Sequence, residues 1–471
     1  MFTRRGFVMT TLFGAGCVGL RALATGLPAA LLLNPRKALA NPAAANPLAQ
    51  FVIFQTSGNG DPINANCPGT YDDINGSAMT AGIAHSADPL MVATPLMLGT
   101  QTYSAALPWA QPWQAVPNVI ASALWQSVLN RTTFWHIATE TPIHPKEPDV
   151  LKLMDQTQSD EMLVSLIAKT LAPQLGTIQP QPIALGAASP SEALTYGGQT
   201  QPLIPPTALK ATLTNPTGPL TSLQALRDDT MNQLYALYKN EATPTQQSYI
   251  DALVTSQQQA RNISQSLLSL LDSIKDNTVG SQISAALALI QMKVAPVLTI
   301  HVPFGGDNHR DPNLATETQQ TAGVTANGTY NAAAGLTGVP GIAALMSALN
   351  AANLQDQVTF MSLNVFGRTL AVSTGAGTGR QHNPDHHVAI AIGKGFYPGV
   401  IGGVAPGAGE EYEAVAIDSK SGQGSASGDV TPAASLASWG QTMMAAVGID
   451  TTTITQAIPS GLMISGALAA S

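Results

Sequence analysis

Six short runs of aliphatic, aromatic and β-branched residues punctuate the chain, at 51–56, 132–137, 182–186, 297–302, 358–363 and 388–392. Each is bounded by turn-forming residues, and each is apolar almost without interruption. A strand with one wet face alternates polar and apolar side chains, whereas a strand covered on both faces does not. The runs therefore predict buried strands of a mainly parallel sheet, with helices on both sides. Several intervening stretches supply those helices. The longest spans 244–275, with Thr243 as N-cap, Pro244 in the first turn and Gln246 closing a capping box. Its apolar stripe is Ile250, Leu253, Val254, Ile263, Leu267, Leu270, Leu271 and Ile274. Segments 222–239, 281–295, 339–353 and 434–447 are helical in pattern too, and 219–296 reads as a helical insertion in the α/β domain. Segments 60–115, 187–220, 305–335 and 402–430 are rich in Gly, Pro, Ser and Thr and read as loops.

Residues 1–40 are of another kind. Thr3-Arg4-Arg5-Gly6-Phe7-Val8 has the form of a twin-arginine export signal. A moderately apolar stretch follows to Leu33, and Ala38-Leu39-Ala40 supplies the small residues of a cleavage site ahead of Asn41-Pro42. Arg21 in the apolar stretch argues against a permanent membrane anchor, and Gly14 against a lipoprotein signal at Cys17. The expected course is passage through the twin-arginine translocase, cleavage after Ala40, and a mature chain 41–471 in the periplasm or at the cell surface. No later stretch is apolar enough to span a membrane.

Composition narrows what that mature chain does. The full chain carries a net charge of −8, and Arg4, Arg5, Arg21, Arg36 and Lys37 leave with the signal, so the remainder is more acidic still. Nucleic acid, held mainly through basic contacts to phosphate, is excluded as a partner. A hydrophobic content of 45% suffices for one large α/β domain. Cleavage leaves Cys67 as the only cysteine, which removes internal disulfides and any zinc site built on several thiolates.

In open α/β sheets, ligands collect beyond the carboxyl ends of strands, and the unusual polar residues fall there. Asn59 and Asp61 follow the first run, and Thr139, Thr141 and His144 the second. Asp307, His309 and Asp311 follow 297–302, while Asn364, Arg368, His382, Asn383, Asp385, His386 and His387 follow 358–363. Five of the eight histidines lie in the windows 301–309 and 382–387. Singly, each residue reads as a turn or a solvated loop position. Together, at successive strand ends, they predict a divalent metal site whose mixed imidazole and carboxylate donors suit zinc or manganese, with calcium less suited.

These same residues resemble an exported bacterial family, known only as a domain of unknown function, within the alkaline phosphatase and sulfatase superfamily. The likeness runs through scattered motifs along nearly the whole mature chain. Phe51-Val52-Ile53-Phe54 with Ser57-Gly58-Asn59-Gly60-Asp61 resembles the family's first strand and its Gly/Asn/Asp loop. Gly305-Gly306-Asp307-Asn308-His309 is similar to its Gly-Gly-x-Asp-Thr-His motif, one residue shorter, and Asn364-Val365-Phe366-Gly367-Arg368 to its Ser-Glu-Phe-Gly-Arg motif. Asp385-His386 matches its Asp-His pair. The chain departs from the pattern at Val365, which replaces an acidic residue, at Ile143, which replaces a serine before His144, and at His387, which replaces a glycine.

The resemblance implies an alkaline-phosphatase-like sandwich and two metal ions held by Asp61, Asp307, His309, Asp385 and His386. It implies hydrolysis of a small anionic phosphate or sulfate ester, with Thr141 or Thr139 as the attacking group and Arg368 or His144 holding the anion. Cys67-Pro68-Gly69-Thr70 lacks the spacing of a formylglycine sulfatase. The rival class is a non-catalytic binding or assembly protein on the same scaffold, engaging a cell-surface partner.

Overall fold

A computed structural model describes residues 48–57, 65–71, 82–186, 194–214, 265–304, 307, 309–323, 336–373, 377–408 and 411–469, with isolated helical positions at 233, 236 and 247. The export signal, Asn59 and Asp61 lie outside the described residues, as do most of 222–239 and the first part of the helix expected over 244–275. The protein is mixed α/β around one large, mostly parallel sheet. Its strands are β1 Phe51–Gln55, β2 Thr132–Ile137, β3 Ile183–Leu185, β4 Leu203–Ile204, β5 Val297–Ile300, β6 Val358–Ser362, β7 His387–Ile392 and β8 Gly399–Ile401. They lie in the order β8-β2-β7-β6-β1-β5-β3-β4. β1 sits inside the sheet, parallel to β6 on one side and to β5 on the other.

Alternation along each strand feeds two separate cores. Phe51 and Ile53 of β1 join Phe134, Leu298, Phe360, Val388 and Ile390 on one face. Val52 and Phe54 join Trp135, Ile137, Met361, Ala389 and Ala391 on the other. Helices Val279–Gln291 (α3) and Gly338–Ala351 (α5) cover the first face, with Trp109 and with Trp125 of helix Ser122–Leu129 (α1). Helices Leu163–Leu175 (α2) and Pro432–Ala446 (α6) cover the second. Both faces being dry is what makes the strands read as unbroken apolar runs. Phe54 meets Trp439 of α6 edge to face, with ring centroids 6.4 Å apart. Burying such a side chain is worth roughly 1.5–3 kcal/mol. Thr431 caps α6 by accepting from the Ala434 N–H, and Pro432 begins it, where its missing N–H costs nothing.

Strand direction was not legible in the pattern. β7, read with the other runs as parallel, is antiparallel to both β6 and β2. An unbroken apolar run reports burial on two faces and carries no sign of direction. The segments read as loops also hold more structure than expected. Thr94–Leu98 and Gln101–Ala105 form a hairpin whose turn uses Gly99 at φ 62°, and a short helix, Ala315–Ala322 (α4), lies within 305–335. In the hairpin only Leu96, Leu98, Tyr103 and Ala105 point inward, too few to raise a strand signal above the surrounding polar residues. Of the expected helical insertion, Gln265–Ser273 is helical and packs beside α3, which itself lies on the sheet. Among the described residues no helix is long and apolar enough to cross a membrane.

Candidate metal centre

The reversed direction of β7 decides what gathers at the sheet edge. Residues that follow the parallel strands β2, β5 and β6 emerge at the same edge as residues that precede the antiparallel β7. His144 follows β2, Asp307 follows β5, Arg368 follows β6, and His382 comes before β7. A two-residue ladder, Gly367–Arg368 against His382–Asn383, pairs Arg368 directly with His382. Gly367 is required there, because a side chain at that position would run into the carbonyl of His386.

His144, Asp307 and His382 bring one ligand atom each to within 4.8 Å of one another, a grouping that can hold a metal ion. His309 completes the surroundings. Its Nε2 lies 2.7 Å from Asp307 Oδ1 and 2.9 Å from His382 Nε2, and the His382 Nε2 is 3.5 Å from the same carboxylate oxygen. The far nitrogens are tied down: His382 Nδ1 sits 2.7 Å from the Pro142 carbonyl and His309 Nδ1 3.0 Å from Gln381 Oε1. A carbonyl oxygen only accepts, so His382 carries its proton on Nδ1 and turns a bare Nε2 inward. Two imidazole nitrogens and a carboxylate oxygen thus converge on one point. Such a set is satisfied by a proton or by a divalent cation. An imidazole anchored by its outer N–H on a carbonyl is the usual arrangement of a metal-binding histidine.

Aromatic packing fixes the rings. Phe366, fully buried, stacks on His382 at 4.1 Å between centroids and meets His144 edge-on at 4.9 Å. Arg368, also fully buried, lies over the Phe366 ring at 5.5 Å and donates from Nη1 to Asp307 Oδ1 at 3.1 Å. Burial opposes ionisation of Asp307, but the Arg368 guanidinium, with His309 and His382, outweighs it and holds the carboxyl below its ordinary range. Burial first, then the Arg368 charge, lowers His382 to about 4. At neutral pH that ring is therefore uncharged and able to ligate.

Of the residues singled out by sequence, His144, Asp307, His309 and Arg368 come together. The structure does not bring Asp385 and His386 to this group. Asp385 is exposed and raises the pKa of its neighbour Glu411, after burial, by their mutual repulsion. His386 is fully buried and turns inward, its Nε2 2.9 Å from His136 Nδ1. Successive side chains before a strand point opposite ways, so adjacent residues seldom share a centre. Thr139 is fully buried, and its hydroxyl has no hydrogen-bond partner among the described residues. The Thr141 hydroxyl accepts from the Ile143 N–H at 3.4 Å. Both threonines come just before Pro142, whose carbonyl holds His382.

His382 was visible only as one member of a histidine-rich window and Phe366 only as part of the motif ending at Arg368, and Gln381 carried no sequence signal at all. Glu147 was equally silent. It is fully buried one turn after His144 and accepts a 2.5 Å hydrogen bond from Thr56 at the end of β1, which anchors the turn bearing His144 to the sheet. No family model matches the chain, and neither a curated protein nor a solved structure matches it.

Proposed function

We propose that the protein is an exported, metal-dependent hydrolase of small phosphate or sulfate esters, built on an alkaline-phosphatase-like sandwich. The observation that carries this reading is the convergence of His144, Asp307 and His382 at the sheet edge beside the buried Arg368. Mixed nitrogen and oxygen donors fit zinc or manganese. A bound cation there would polarise an ester oxygen and lower the pKa of water. Arg368 supplies a fixed guanidinium for the anionic group, while His144, expected from the resemblance as an anion contact, serves among the metal donors. Thr141 or Thr139 is the attacking hydroxyl. His144, Asp307 and His382 would hold one such ion.

The purified mature chain, loaded with zinc or manganese, is expected to cleave p-nitrophenyl phosphate or sulfate. Thr141→Val or Thr139→Val should keep the metal, and the variant lacking the nucleophile should lose turnover by orders of magnitude. A metal-loaded protein that cleaves neither ester sinks the hydrolase reading. One observation favours the second reading, metal-dependent anion binding without turnover at the cell surface. Val365, in the place of the acidic residue of the resembled motif, is fully buried in the apolar core, so no carboxylate enters from there. Inorganic phosphate binding that needs metal and weakens in Arg368→Ala, without hydrolysis, would establish it.

Export is proposed through the twin-arginine translocase. Replacing Arg4 and Arg5 with lysine should leave precursor in the cytoplasm, read by fractionation and immunoblot. Undiminished processing after Ala40 in that variant would assign export to another route.

A further inference from the structure

We infer that Gln381 is a positioning residue that sets the tautomer of His309, so that His309 presents a bare Nε2 to the same centre. The inference rests on the metal-centre reading for its purpose but not for its geometry. The orientation of the Gln381 amide is decided by its neighbours. Its Nε2 reaches the carbonyls of Gly377 and Gly379, at 3.2 and 3.4 Å. Both can only accept, so the nitrogen belongs on that side and Oε1 faces His309 Nδ1 at 3.0 Å. An amide oxygen also only accepts. His309 therefore keeps a proton on Nδ1 in every state in which this bond is made. When the ring is neutral, the lone pair is on Nε2, 2.7 Å from Asp307 and 2.9 Å from His382.

The Gln381 backbone is held rigidly enough to enforce this. Its N–H donates to Thr369 Oγ1 at 2.9 Å, and its carbonyl accepts from the Thr369 N–H at 2.9 Å. The preceding Arg380 is fully buried. Its guanidinium pairs with Glu317 of α4 at 2.6 Å and donates to the carbonyls of Thr369, at 2.7 Å, and Ala84. The loop closes on His309 from the other side as well, since the Gly379 N–H donates to the His309 carbonyl at 2.8 Å. One hairpin thus presents Arg368 and His382 to the centre directly, and it orients His309 through Gln381. An amide in this place holds the proton without adding charge, so Asp307 remains the only carboxylate contacting the His309–His382 pair among the described residues.

The test uses the mature chain as wild type, Gln381→Leu and Gln381→Glu. Imidazole 15N NMR in the presence of a chelator, at a pH where the rings are neutral and with His309 assigned by His309→Gln, reads the tautomer directly. Wild type should show the Nδ1–H form. Gln381→Leu should shift His309 toward Nε2–H and weaken zinc and cobalt(II) binding by about 10–100-fold, with a changed cobalt visible spectrum. Gln381→Glu keeps an acceptor for Nδ1 and should restore the Nδ1–H tautomer. The inference is overturned by an Nε2–H His309 in wild type, or by a leucine variant with wild-type tautomer and affinity. A tautomer that responds to Gln381 in a chain binding neither zinc nor cobalt would uphold the assignment and remove the metal centre instead.

Discussion

Two histidine groups lie near the same edge of the sheet and differ in almost everything else. His144, His309 and His382 are partly exposed, share a carboxylate and lie against a buried arginine. His136, His386 and His387 are fully buried a few residues away, with each other and backbone groups for company. In the second group burial lowers His136 to about 4 and His387 to about 3, and pushes His386 well below its ordinary value. These rings are neutral polar members of a core. His136 donates from Nε2 to the Pro68 carbonyl and accepts from His386 through Nδ1. The difference teaches that a histidine-rich window does not make a ligand set. Access for an ion, and an anionic partner for it, separate the two groups.

Substitution should break the comparison most sharply. His382→Ala and Asp307→Asn should each lower zinc affinity by more than the roughly 10–100-fold that loss of an outer partner costs. His386→Ala and Asp385→Ala should leave zinc affinity unchanged by competition titration. His386→Ala should instead lower stability by about 2–4 kcal/mol, because it opens a cavity and strips His136 Nδ1 of its partner. Zinc binding that survives in His382→Ala but fails in His386→Ala would exchange the roles assigned to the two groups.

A smaller effect follows from acid. The buried rings have folded pKa values below the ordinary histidine value of 6.5, so the unfolded chain binds more protons in this range. Their stabilising contribution is complete above pH 6.5 and is lost as pH falls toward 4. The urea midpoint of metal-free protein should drop between pH 7 and pH 5, and less steeply in a His136→Phe, His386→Phe double variant. Equal slopes in the two proteins would place the acid sensitivity elsewhere.

Much of the sheet was legible in the chain before any fold was known, because six runs of apolar residues each carry enough signal to mark a doubly covered strand. Observed strands such as Thr132–Ile137 and Val358–Ser362 fall on those runs almost residue for residue. The common direction of β1, β2, β5 and β6 follows the expectation that polar residues trailing these strands share an edge. Within the site, Asp307, His309, His144 and Arg368 stood out because they fall together just past successive strands, where ligands of such sheets collect.

What remained hidden depended on contacts between distant segments. The antiparallel course of β7 is set by pairing with β6 and β2, and it alone explains why His382, lying before a strand, meets residues that lie after strands. The choice of His382 over Asp385 and His386 is a matter of side-chain direction, which sequence proximity does not encode. Gln381 is an unremarkable amide in the chain, and only the Gly377 and Gly379 carbonyls and the His309 ring decide which way it faces. Short-range pattern determines which segments are buried, because burial is averaged over many side chains. The centre depends on single directions of single bonds, and those are decided when the segments pack.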